Sequence, residues 1–164
     1  MRKIVLIVLI LAVVPIAAFA ELGIGGAAFY KSPYLMGQPL DIANANANQF
    51  SFGGDARFKL GWFQAEGLVL YSAGDTQSLN MYLDGGLALD LAILRLSLGV
   101  GPNFILNFGQ SAPAQAGLNA KIGADIKLGA ISVGASYIMA LNIANGVNVQ
   151  TGSGLLGLDL IFWL

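Results

Sequence analysis

Between Phe50 and Tyr71 the chain changes character at every second residue, and that one feature excludes most folds. In FSFGGDARFKLGWFQAEGLVLY, the residues Phe50, Phe52, Gly54, Ala56, Phe58 and Leu60 are apolar or small. Ser51, Gly53, Asp55, Arg57 and Lys59 alternate with them. After Gly61 and Trp62 the apolar set moves to Phe63, Ala65, Gly67, Val69 and Tyr71, with Gln64 and Glu66 on the other side. Side chains alternate faces along a strand, so the pattern predicts a β-hairpin with one apolar and one charged face. Glycine at the first loop position suits a type II′ turn, which needs a positive φ there. The same register places Arg57 opposite Glu66.

The design recurs. Leu79, Met81, Leu83, Gly85, Leu87 and Leu89 share one face, with Asn80, Tyr82, Asp84, Gly86, Ala88 and Asp90 on the other. Leu94, Leu96, Leu98 and Val100 continue the apolar face after an Ala92-Ile93 loop, which sets Asp90 opposite Arg95. A third hairpin runs from Leu118 to Met139 through Gly129-Ala130, with Asn119, Lys121, Asp125 and Lys127 on its polar face. Single strands flank these hairpins, Glu21 to Tyr30 at the start and Gly154 to Leu164 at the end. Longer connections fall at residues 31–49, 73–77, about 102–116 and about 142–153. Eight antiparallel strands result, with both termini on the side of the short turns.

Composition decides which solvent this sheet faces. Hydrophobic residues make up 56% of the chain and charged residues 10%, against roughly 25% in soluble domains. No apolar run of about 18 residues occurs beyond the amino terminus, so helical spans are excluded. An up-and-down barrel reconciles the two facts, because its lipid face uses only alternate residues. Charge placement agrees: Glu21, Asp55, Arg57, Lys59, Glu66, Asp84, Asp90, Arg95, Lys121, Asp125, Lys127 and Asp159 all lie on polar faces, and the connections carry Lys31, Asp41 and Asp75. An Arg or Lys on a lipid face costs roughly 2–4 kcal/mol at midplane, so confinement to a lumen is expected. The expectation is an all-β, eight-stranded antiparallel transmembrane barrel over residues 21–164. Two aromatic girdles are expected at its rims, Phe58, Phe63 and Phe162 near the short turns and Tyr30, Phe50, Phe52, Tyr71 and Tyr137 near the long connections.

Residues 1–20 have the order of a secretory signal: Arg2 and Lys3, an apolar stretch from Ile4 to Val14, then Ala18-Phe19-Ala20 as a small-x-small cleavage pattern. Cleavage after Ala20 would start the exported chain at Glu21, and an exported barrel of this kind is expected in a bacterial outer membrane.

The chain has no histidine and no cysteine. Ser-His-acid catalysis, thiol catalysis and histidine or cysteine metal sites are therefore excluded. A carboxylate pair such as Asp84 with Asp90 remains, but it sits among bases on an alternating strand, where a structural ion network explains it. The reading is no enzyme, no cofactor and no metal. The formal net charge of −1 without a basic cluster excludes nucleic acid.

The interior admits two readings. Eight strands enclose a space that side chains nearly fill. Acids and bases there form a plug of ion pairs, with Arg57–Glu66 and Asp90–Arg95 the leading pairs, or they line a narrow polar path through lumen glycines such as Gly86, Gly99 and Gly123. A soluble lipocalin-like carrier is a third class, and it would need an apolar interior. The outer connections supply the remaining surface, with Pro33, Tyr34, Leu35 and Met36 in 31–49 and Phe104, Ile105, Leu106 and Phe108 in 102–116. They would extend the strands, form an apolar vestibule, or contact host or surface ligands.

With its alternation, its turn spacing and its terminal GLDLIFWL segment, the chain resembles the small eight-stranded outer-membrane proteins of diderm bacteria, the class of the OmpA membrane domain, OmpX and OmpW. The resemblance implies a monomer among outer-membrane lipids, inserted by the barrel-assembly machinery. That machinery would read Leu160, Phe162, Trp163 and Leu164. Such proteins usually end on an aromatic residue, whereas this chain ends on Leu164. Brevity and apolar connections lean towards OmpW-like or spirochaete-type barrels, and the OmpW likeness implies small hydrophobic solutes for the conduit reading.

Overall fold

The computed structural model describes residues 20–32, 46–73, 77–108, 114–142 and 148–164, with the backbone alone for 47, 142 and 148–153. Residues 1–19 of the expected signal segment, the stretch Pro33 to Met36, Asp41 and Asp75 lie outside the described residues.

Eight strands form one closed antiparallel barrel in sequence order. They are β1 (Ala20–Ser32), β2 (Phe50–Leu60), β3 (Phe63–Ser72), β4 (Ser78–Leu91), β5 (Leu94–Asn107), β6 (Gln115–Leu128), β7 (Ile131–Asn142) and β8 (Asn148–Trp163). Pairing of β1 with β8 closes the cylinder and removes the free edges an open sheet would present. The predicted registers hold, with Arg57 facing Glu66 and Asp90 facing Arg95. Three connections are shorter than expected, the first because Lys31, expected in a connection, pairs with Leu155 at the end of β1. Strand β5 runs through Phe104, Ile105 and Leu106 to Asn107, and β8 begins at Asn148. Each extension gives backbone N–H and C=O groups a neighbouring strand to bond, which loops past the membrane would leave to water.

The three short turns share one geometry. Gly61 (φ 60°), Ala92 (φ 55°) and Gly129 (φ 72°) hold the first loop position with positive φ, and the second loop residues do not. This is the type II′ pattern. The second loop residue's carbonyl then accepts a hydrogen bond from the adjoining strand: Trp62 from Ala88, Ile93 from Lys127 and Ala130 from Trp163, at 2.7, 2.7 and 2.8 Å. The rim is stitched by one repeated device.

Leu22, Ile24, Phe52, Phe58, Leu83, Leu98, Ile122, Leu158 and Phe162 are exposed on the outside. Charged side chains point inward. That arrangement is the inverse of a soluble carrier with an apolar pocket, and the exterior suits lipid.

Candidate functional site

The interior is the part of the molecule that could bind or conduct, and it is built in layers. Along each strand the inward residues change with depth, so successive strands contribute to the same layer.

Nearest the short turns, Arg95 is the hub. Its Nε donates to Asp90 Oδ1 at 2.6 Å and its Nη2 to Glu21 Oε2 at 2.5 Å. Lys59 and Lys127 reach Asp90 Oδ2 at 3.0 and 3.3 Å. The guanidinium lies 4.2 Å from the Trp163 ring centroid, and Trp163 Nε1 donates to Ser132 Oγ at 2.9 Å. The last strand is thereby tied into the lumen. Water reaches this layer, since the side chains of Glu21, Asp90 and Lys127 are 38%, 27% and 28% exposed.

Deeper in, Arg57 is the hub. Its Nη2 lies 2.7 Å from Asp55 Oδ2, its Nη1 donates to Asp125 Oδ1 at 3.0 Å, and its Nη2 pairs with Asp159 Oδ2 at 3.0 Å. Lys121 pairs with Glu66, and Asn119 Nδ2 donates to Asp84 Oδ1 at 2.7 Å. All these side chains are buried. Five carboxylates (Asp55, Glu66, Asp84, Asp125, Asp159) here meet two bases, a formal excess of three negative charges.

Of the two leading pairs, Asp90–Arg95 forms as expected. Arg57–Glu66 holds in register but is secondary: Arg57 Nε sits 3.8 Å from Glu66 Oε2, because Glu66 turns to Lys121 and Arg57 reaches across the barrel. Hairpin register fixes which residues face each other across two strands. It says nothing of residues meeting through the lumen, such as Arg57 and Asp125.

Sequence reasoning missed a third layer. Toward the long connections, Ala27, Phe29, Leu68, Leu70, Tyr82 and Ile138 form a buried apolar cluster inside the barrel, with Leu155 packed against it. Lys121 Nζ lies 5.9 Å from the Phe29 ring centroid, joining this collar to the charged layer below. The signal was present: Leu68 and Leu70 continue the alternating face of Gln64 and Glu66, and Ile138 continues that of Ser132 and Ser136. Beyond the collar lies a polar cluster on β2, β3 and β4. Ser51 and Ser72 hydroxyls lie 2.6 Å apart, and Asn80 Nδ2 donates to Ser72 at 3.0 Å and Ser78 at 3.3 Å.

On the exterior, Phe52, Phe58, Phe63, Tyr71 and Phe162 are exposed. Tyr30 and Phe50 are half-buried, their ring centroids 5.2 Å apart. Tyr137 differs from the expected girdle: it is 5% exposed because its ring lies over Gly154, whose missing side chain leaves the space. In the terminal segment Leu160, Phe162 and Leu164 are exposed on the outside, while Trp163 turns inward to Arg95.

No protein-family model matches the sequence, and no curated protein matches it. Solved structures do match. The chain is similar to Ail, the attachment invasion locus protein of Yersinia pestis, with 15% identity, 88% of this chain and 97% of that chain covered, and a TM-score of 0.54. Neisserial surface protein A matches at 16% identity over 87% and 96% of the two chains, with a TM-score of 0.54. The N-terminal β-barrel domain of OprF from Pseudomonas aeruginosa matches at 15% identity over 87% and 97%, with a TM-score of 0.52. The fold of this chain is that of the small eight-stranded outer-membrane β-barrels.

Proposed function

We propose that the chain is exported by a cleaved signal at residues 1–20 and resides in the bacterial outer membrane. There it acts as a monomeric, non-enzymatic barrel with a structural or surface-interaction role. One observation carries this reading: inward side chains in two ionic layers, an apolar collar and a serine–asparagine cluster follow one another along the lumen. A filled interior leaves the outer connections as the surface for a specific task. Within 31–49 and 102–116, the parts outside β1, β5 and β6 would present side chains to host or surface ligands. Ail is named for attachment and invasion, which lends the adhesin-like role support by analogy of fold alone. The exposed aromatics serve as interfacial anchors, and the terminal segment through Leu164 is offered to the assembly machinery. The competing reading, a narrow conduit for small or hydrophobic solutes, requires both the collar and the Arg57 layer to part.

Loop shortening tests the surface role. Variants lacking residues 34–44 or 109–113 should still fold in detergent and insert in cells, while the adherence of the displaying bacteria to epithelial or abiotic surfaces falls. Adherence unchanged by each shortening, in folded and displayed barrels, would remove the surface reading. Membrane residence has its own check. Residues 21–164 should aggregate in buffer and become monodisperse in detergent, and a stable monomer without detergent would contradict the barrel's orientation.

A further inference from the structure

Two acids of the Arg57 layer meet each other. Gly134 on β7 pairs with Asp125 of β6 on one side and with Asp159 of β8 on the other. Because Gly134 has no side chain, Asp125 Oδ1 and Asp159 Oδ1 both come within 2.5 Å of the point its β-carbon would occupy. The two carboxyl groups are thus within hydrogen-bonding reach of one another. Both residues are buried, at 2% and 4% exposure, and no donor serves Asp159 Oδ1. Two ionised carboxylates offer only acceptors, so a hydrogen bond between them needs a proton on one. Ionised together in a buried layer, they would repel with no water to screen them.

The cations at hand do not remove that repulsion. In the same layer β2 brings Asp55 and Arg57, β3 Glu66, β4 Asp84 and β6 Lys121. Lys121 is spent on Glu66. Arg95 pairs with Asp125 in register, but its guanidinium goes to Asp90 and Glu21. Arg57 remains, and it serves Asp55, Asp125 and Asp159 together, one positive charge against three carboxyl groups. Its contacts also decide which acid keeps its charge. Arg57 Nη1 donates to both Asp125 oxygens, at 3.0 and 3.2 Å, whereas Nη2 meets Asp159 at Oδ2. Hydrogen bonds from a cation favour the ionised form, so the charge belongs on Asp125 and the proton on Asp159.

We propose that Asp125 and Asp159 hold one proton between them in the folded barrel at neutral pH, carried on Asp159 Oδ1 and donated to Asp125 Oδ1. The pair is a buried proton-binding site, and it stands or falls separately from the surface role. In the unfolded chain both aspartates are ionised at neutral pH. The barrel therefore takes up this proton as it folds, and the proton ties β6 to β8 across Gly134.

The test is infrared spectroscopy of the detergent-folded barrel at neutral pH, read at the carbonyl stretch of a protonated carboxylic acid, where ionised carboxylates do not absorb. The wild type should show such a band. Asp159→Asn and Asp125→Asn should each lose the intensity of one carboxylic acid, because either leaves a single aspartate that ionises against Arg57. A wild type without the band would overturn the proposal. A band at full strength in both variants would overturn it too, by placing the proton on another acid such as Asp55 or Asp84. Loss in one variant alone would show an acid that its neighbour does not share, and would overturn the pairing. Should an Asn protein not fold, Asp125→Glu keeps the acid and lengthens its arm. A shifted band is then expected, and an unmoved one counts against the pair.

Discussion

The two ionic layers of the lumen use the same residue types and differ in nearly everything else. Around Arg95, three bases meet two acids, several of the side chains touch water, and the guanidinium rests on an indole ring. Around Arg57, five acids meet two bases and every charged side chain is buried. Water and salt can solvate the first layer when a partner is lost. The second has only itself. Cross-strand pairing is therefore a minor matter near the turns and a severe constraint in the middle, where a stranded charge keeps its full desolvation cost.

The largest expected effect follows directly. Arg57→Met strands Asp55, Asp125 and Asp159 in the interior and should cost about 3–5 kcal/mol, read as a lowered urea midpoint of the detergent-folded barrel. Double-mutant cycles sharpen the comparison. Coupling of Arg57 with Asp125 should exceed its coupling with Glu66, within the roughly 0.5–3 kcal/mol usual for contacting residues, because only the former is in hydrogen-bond contact. Equal couplings would mean that the hairpin register, and not the contact across the lumen, organises the layer.

Arg95→Met should cost less, roughly 1–2 kcal/mol, since Glu21 and Asp90 can turn to water. The layers should also separate by salt. Raising ionic strength from about 0.1 to 1 M shortens the screening length from about 10 to 3 Å and should shrink the Arg95→Met penalty while sparing that of Arg57→Met. Parallel losses in both variants would erase the distinction between a wet and a dry layer. The smallest effect lies at the rim itself. Ala92 holds a positive φ where the sister turns have glycine. Ala92→Gly should therefore stabilise by less than about 1 kcal/mol, strain relief being partly offset by added freedom in the unfolded chain.

What could be read from the sequence divides along the same lines. Period-two alternation fixed the faces, the strand count and the Asp90–Arg95 pair, because those follow from chain-local geometry. Partners across the lumen did not follow, since Arg57 and Asp125 meet only once strand tilt and closure are set. The collar was accessible by carrying the inward face past Glu66 to Leu68 and Leu70. The inward face is charged up to Glu66 and apolar beyond it, so its two halves differ in character. The extent of β5 was obscured by Phe104-Ile105-Leu106, a run of three apolar residues that interrupts alternation while the backbone continues to pair.

The central claim is that the lumen is closed by its own side chains. Its most direct test is single-channel recording of refolded residues 21–164 in a planar bilayer. The protein should insert and remain electrically silent over the range in which the bilayer itself is stable. Steady, discrete openings of the unaltered protein would contradict a filled lumen and make the barrel a conduit.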